Sequence, residues 1–165
     1  MKVIFLDVDG VLNTTSTTEM FEEYTFIEDE KVQLLKQLVT RTGAEIVLSS
    51  SWRYGWWVKQ KVNPTPSDLS SIRLFDALEK KLSEYGLELL DHTDETSTRG
   101  QEIAWWLESW DGEPIESFVI LDDMHLSYLL PHTSHVVSTS LSKGLTQSLV
   151  ERAVSMLKDS SRKIK

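Results

Sequence analysis

Asp7 and Asp9 stand two residues apart where an apolar run ends, in Lys2-Val3-Ile4-Phe5-Leu6-Asp7-Val8-Asp9-Gly10-Val11-Leu12-Asn13. Side chains alternate across a strand, so residues at this spacing point to one side and lie roughly 7 Å apart. One reactive centre can reach both. Two other segments have the same form: Glu45-Ile46-Val47-Leu48 runs into Ser49-Ser50-Ser51, and Phe118-Val119-Ile120-Leu121 into Asp122-Asp123. In an open parallel sheet, ligands bind beyond the carboxyl ends of the strands. If the first and fourth strands are neighbours, Asp7, Asp9 and Asp122 converge. Carboxylates gathered that closely repel one another unless a hard cation neutralises them, and oxygen-only ligation suits Mg²⁺.

A cation held there leaves positions for a phosphate oxygen, and the serines after the second strand can donate hydrogen bonds to the same group. The chemistry this suggests is phosphoryl transfer. One carboxylate can act as covalent nucleophile while another moves the proton to the leaving group and from the water. Asp7 is expected as nucleophile and Asp9 as acid and base. A positive group is still needed against the transferring phosphoryl. Arg99, at the mouth of a helix in Thr98-Arg99-Gly100-Gln101-Glu102-Ile103, is the first candidate, and Arg53 is its rival. Ser49 is expected to contact the reacting group, with Gly10, Ser50, Trp52 and Arg53 as contacts to the substrate.

The elements that must position these groups alternate between strand and helix, the pattern of an α/β domain with a parallel sheet. Five strands are expected, over residues 2–8, 45–49, 87–90, 118–122 and 135–138. Helices are expected over 28–41, where Val32, Leu35, Leu38 and Val39 recur at helical spacing before Gly43, and over 71–85, with Ile72, Phe75, Leu78 and Leu82 on one stripe before Gly86. A third runs from Gly100 to Trp110, with Ile103, Trp106, Leu107 and Trp110 on one face and Thr98 and Gln101 placed for a capping box. The last begins near Thr146, with Leu149, Ala153, Met156 and Leu157 apolar. Residues 13–25 and 54–70 have the composition of loops. With no internal repeat or separating linker, one domain over 1–158 is expected, followed by a frayed tail over 159–165.

Composition narrows the function. The 165 residues are 40% hydrophobic, enough for one real core. The 26 acidic against 17 basic residues give a net charge of -9, which disfavours a broad surface for nucleic acid or anionic membrane. Any polyanion must be gripped locally. The absence of cysteine removes disulfides and thiolate metal sites and suits a reducing compartment. No signal peptide or membrane span is read, so the expectation is a cytoplasmic protein with no membrane association and no obligate protein partner.

Taken in order, these segments resemble the motifs of the haloacid dehalogenase-like (HAD) phosphatases. Ile4 to Asn13 resembles the first motif, Ile46-Val47-Leu48-Ser49 the second, Arg99 takes the place of the third motif's basic residue, and Val119-Ile120-Leu121-Asp122-Asp123 resembles the fourth. More narrowly, Ser50-Ser51-Trp52-Arg53, Glu102 to Leu107 and Lys143-Gly144-Leu145-Thr146 resemble the small HAD domains found alone or fused in RNA-repair proteins. The resemblance implies a three-layer Rossmann-like fold with strand order 5-4-1-2-3. It implies Mg²⁺ held by Asp7, the Asp9 backbone carbonyl and Asp122, with Asp123 helping. An acid at the position of Asp9 implies a phosphatase or phosphotransferase rather than a dehalogenase. The short segments after the first two strands imply a minimal cap or none, an open arrangement that often goes with large substrates.

Plainer readings compete. Asp7-Val8-Asp9-Gly10 alone could be a fragment of a calcium loop, but Val11 occupies the next ligand position and no Glu falls at the twelfth. Trp106 and Trp110 have core spacing. Trp52, Trp56 and Trp57 lie beside Arg53, Lys59 and Lys61, a combination that would suit stacking on a nucleotide or nucleic-acid end, or equally the covering of a sheet edge. The four histidines lack zinc-ligand spacing. The leading expectation is therefore a Mg²⁺-dependent phosphatase working through phospho-Asp7, and its rival is a non-catalytic module of the same fold that binds a phosphorylated partner.

Overall fold

Three apolar runs, too uniformly hydrophobic to face water on either side, form the middle of the molecule: β1 (Lys2–Leu6), β4 (Ala44–Leu48) and β6 (Ser117–Asp122). The structure, a computed structural model, describes residues 1–95 and 97–159. β5 (Leu89–His92) and β7 (Val136–Ser138) complete a five-stranded parallel sheet in the order β5-β4-β1-β6-β7. Counted within this sheet alone, the order is the expected 5-4-1-2-3. The label shift comes from a two-stranded antiparallel hairpin, β2 (Met20–Phe21) and β3 (Tyr24–Thr25), in the segment read as a loop.

Alternation along the strands divides the core into two. Ile4, Leu6, Ile46, Leu48, Val119 and Leu121 face α1 (Asp29–Thr42), α3 (Pro66–Glu84) and α5 (Gln147–Lys158). Val3, Phe5, Val47, Phe118 and Ile120 face Ile103 and Trp106 of α4 (Arg99–Ser109), with Leu129 from the 3₁₀ turn Leu126–Leu129. The layers are helix, sheet, helix. Among the described residues no helix is long and apolar enough to cross a membrane.

Two local expectations give way. Thr98 is the N-cap of α4, but its side chain makes no capping bond, and Glu102 instead accepts from the Ser97 backbone N–H at 3.3 Å. The capping box lies elsewhere: Thr65 accepts from the Asp68 N–H at 3.1 Å and Asp68 accepts from the Thr65 N–H at 2.8 Å, with Pro66 opening the helix. α3 consequently begins at Pro66 rather than residue 71, and a short α2 (Tyr54–Val58) precedes it in the same presumed loop. Of the expected tail, Asp159 is the C-cap of α5 and 160–165 lie outside the described residues.

Candidate active site

Strand register brings the first groups together. Leu6 pairs with Leu48 on one side and Leu121 on the other, so the next residues, Asp7, Ser49 and Asp122, share one level at the carboxyl edge. The pairing continues through them: the Asp7 N–H donates to the Leu121 carbonyl at 3.0 Å and the Ser49 N–H to the Leu6 carbonyl at 2.8 Å. Asp7 has the parity of Val3 and Phe5, the face on which α4 packs. The first residue of that helix, Arg99, therefore meets it. Its Nη1 donates to the Ser49 carbonyl and, at 3.0 Å, to Asp122 Oδ2, and lies 3.5 Å from Asp7 Oδ1.

Asp7, Asp122 and Asp123 offer carboxylate oxygens that all lie within 4.8 Å of one another. Against this triad Arg99 supplies one positive charge. Burial, relieved in part by Arg99 and reinforced by Asp122, pushes the Asp7 carboxyl from 3.8 up to about 7, while a hydrogen bond from Ser50 holds it down. Burial and then Asp122 also raise Asp123. In the metal-free chain a proton offsets charge that a divalent cation would neutralise. An all-oxygen donor set with surplus negative charge fits a hard cation. Ser49 Oγ, fully buried, finds no hydrogen-bond partner among the described residues, as expected of a hydroxyl whose partner is a ligand.

The Asp9 carboxylate stands apart from the triad. Its Oδ1 accepts from Asn13 Nδ2 at 2.8 Å and its Oδ2 from Trp52 Nε1 at 2.9 Å. Asn13 Oδ1 in turn accepts from the Gly10 N–H at 3.0 Å, closing a tight turn in which Gly10 takes φ +70°. The same turn brings Gly10 against Asp123: a Cβ on Gly10 would lie 2.5 Å from Asp123 Oδ2. Gly10 thus leaves room for a metal-ligand candidate. Asn13, not among the expected site residues, carries a recognisable signal for this capture: an Asn four residues beyond an acid, across a Gly turn.

Arg53 is a correction. Expected as a substrate contact or as rival to Arg99, it is 2% exposed and faces inward. Its Nη1 donates to the Ser50 carbonyl at 2.9 Å, and its Nη2 to Glu102 Oε2 at 2.9 Å and the Asp94 carbonyl at 3.3 Å. Glu102 also faces Arg99 at 3.9 Å, so a buried ionic chain runs under the site. Trp52, expected on the substrate, is 7% exposed: its ring stacks on Phe26, its Nε1 donates to Asp9 Oδ2, and it also borders a cavity beside Asp9. The other cations beside the tryptophans are paired too: Lys59 with Asp76, and Lys61 with both oxygens of Asp68 at 2.9 and 3.1 Å.

Asp9 and Trp52 border a cavity of about 370 Å³, walled further by Tyr24 of the hairpin, Tyr54, Leu74 and Glu95. Asp7, Asp122 and Asp123 are not among the described residues that wall it.

Residues 3–150 match the family model described as the HAD domain in Swiss Army Knife RNA repair proteins. No curated protein matches the chain.

Proposed function

The chain belongs to the family of HAD domains in Swiss Army Knife RNA repair proteins, and from that premise we propose that it is a Mg²⁺-dependent phosphomonoester hydrolase acting through phospho-Asp7. The observation that carries this reading is the single level at which Asp7, Ser49 and Asp122 meet, with one Arg99 nitrogen placed against all three residues. Asp7, Asp122 and Asp123, with the Asp9 backbone carbonyl, would hold Mg²⁺. The bound ion would neutralise the carboxylates and draw charge from the phosphoryl oxygens.

This chain's residues account for the rest. An Asp7 oxygen attacks phosphorus while the bond from phosphorus to the leaving oxygen breaks, and Asp9 gives that oxygen its proton. Arg99 and the Ser49 hydroxyl carry charge on the phosphoryl oxygens. Asp9 then takes a proton from water as the water oxygen attacks phosphorus. The bond from phosphorus to Asp7 breaks, phosphate leaves and both acids return to their starting states. Asn13 and Trp52 fix the shuttle: each holds one Asp9 oxygen, so the acid stays aimed without help from substrate. The substrate we propose is phosphorylated, a nucleotide or a nucleic-acid end; the family's description and the aromatic wall beside Asp9 support that choice. The lack of cysteine is consistent with work in the cytoplasm.

Phosphate release from an aryl phosphate, with and without Mg²⁺, in the native chain and in Asp7→Asn, tests this reading. Release should need the metal and vanish in the variant. Metal-independent release that survives the substitution overturns the mechanism, and stable binding of a phosphorylated ligand without its consumption would mark a binding module.

A further inference from the structure

Resting on the hydrolase reading above, we propose that the cavity beside Asp9 seats the leaving group, and that this group is a single nucleoside rather than the end of a strand. Asp9 must face the oxygen it protonates, so the departing half of the substrate lies on its side of the site. The cavity of about 370 Å³ has Asp9 in its wall and a volume in the range of small-ligand sites. Its walls are aromatic and aliphatic, from Trp52, Tyr54, Tyr24 and Leu74, a surface that takes a flat ring. Ser51 and Ser71 complete the wall, and the Glu95 carboxylate can accept from an amino or sugar hydroxyl donor.

Charge separates the two substrate forms. None of the described lining residues is Lys or Arg, while Asp9 and Glu95 are both acidic. The nearest basic side chains have carboxylate partners: Arg53 with Glu102, Lys61 with Asp68, Lys59 with Asp76, Arg73 with Glu22. A nucleoside brings no charge besides the phosphate being removed. A strand end brings further phosphodiesters, and the hollow that shares Tyr54 and Glu95 with the cavity is lined besides by Trp57, Val58, Asp94 and Lys61, so that two carboxylates face it while its lysine is held by Asp68. Like charges there oppose the longer substrate.

The test compares kcat/KM under Mg²⁺ for a nucleoside monophosphate, glycerol phosphate and an oligonucleotide ending in the same phosphorylated nucleoside. The monophosphate should exceed glycerol phosphate by about tenfold or more, the scale of one stacked base, and should exceed the oligonucleotide as well. Tyr54→Ala should pull the first ratio towards one, and Glu95→Lys should narrow the second. An oligonucleotide turned over as well as the monophosphate overturns the proposal in favour of a strand end. So does glycerol phosphate matching the nucleotide. If even an aryl phosphate is not hydrolysed, the hydrolase reading fails instead. The seat itself is then read by saturation-transfer NMR with the unphosphorylated nucleoside, where no signal, or a signal indifferent to Tyr54→Ala, refutes it.

Discussion

Gly10 and Gly43 form a matched pair that separates backbone strain from damage to the site. Both adopt left-handed backbone, φ +70° and +65°. An alanine there costs roughly 1–2 kcal/mol from the clash of its Cβ with the following carbonyl. At Gly43, the C-cap of α1, an added Cβ meets nothing within 4 Å, so that cost is the whole effect. At Gly10 the Cβ would lie 2.5 Å from Oδ2, 2.6 Å from Cγ and 2.9 Å from Cβ of Asp123, distances at which the carboxylate must move. Gly43→Ala should lower the melting temperature by about 2–8 °C, at 2–4 °C per kcal/mol for a chain of this size, and leave the response to Mg²⁺ as in the native chain. Gly10→Ala should show at least as large a shift in melting, since the clash with Asp123 adds to the same strain, together with a loss of about 10–100-fold in apparent Mg²⁺ affinity, the usual scale for disturbing a ligand's surroundings. Melting curves and phosphate release over a Mg²⁺ series read both quantities. If the two variants respond to Mg²⁺ alike, Asp123 has no part in holding the metal and the assigned purpose of Gly10 is wrong.

Other outcomes follow from the same geometry. Because Asp7 in the metal-free chain keeps its proton up to about pH 7, against 3.8 for an unperturbed carboxyl, Mg²⁺ must displace a proton, and its affinity by calorimetry should climb roughly tenfold per pH unit below 7 and level off above. The sign for stability is opposite: the folded form holds this proton where the unfolded form has lost it, so metal-free stability falls as pH rises from about 4 to 7, a slope that saturating Mg²⁺ removes. Arg53→Met should cost up to about 3–5 kcal/mol by removing the nearer of the two guanidinium groups that face the buried Glu102, and Arg53→Met/Glu102→Leu should recover part of that in urea unfolding; equal losses would deny the coupling. Trp52→Phe keeps a ring in the cavity wall but removes the hydrogen bond to Asp9, so kcat on an aryl phosphate should fall more than KM changes, and a pure KM effect would deny Trp52 a part in aiming Asp9.

Much of the fold is legible because it is written in uniform apolar runs. β1, β4 and β6 are buried on both faces, and only such runs stop abruptly at polar residues. β5 is harder: expected over 87–90, it pairs over Leu89–His92, because Leu87 is drawn back by the turn at Gly86 to donate to the Leu82 carbonyl. The hairpin is invisible since two residues per strand carry no period. The start of α3 could have been read. Thr65-Pro66-Ser67-Asp68 is a capping box with proline in the first turn: the composition of the segment reads as loop, but the position of its proline marks a helix beginning.

The site divides along the same physical line. Asp7, Ser49 and Asp122 are legible because register in a parallel sheet is shared, so three strands ending at one level deliver their next residues to one place. Which arginine serves them is not legible from spacing. Arg99 and Arg53 each sit in a helical opening, and the difference is made by Glu102, 49 residues from Arg53 and three from Arg99. Only the packed chain shows that this one carboxylate draws Arg53 inward and leaves Arg99 beside the acids. The same holds for the lysines near the tryptophans. A net charge of -9 means acids outnumber bases, so a cation adjacent in sequence to an aromatic residue is more readily claimed by a carboxylate than left for a ligand. Sequence adjacency points to a basic aromatic platform; pairing leaves, among the described residues, an aromatic wall beside Asp9 whose charged members, Asp9 and Glu95, are both acidic, and that sign is what the proposed preference for an uncharged leaving group rests on.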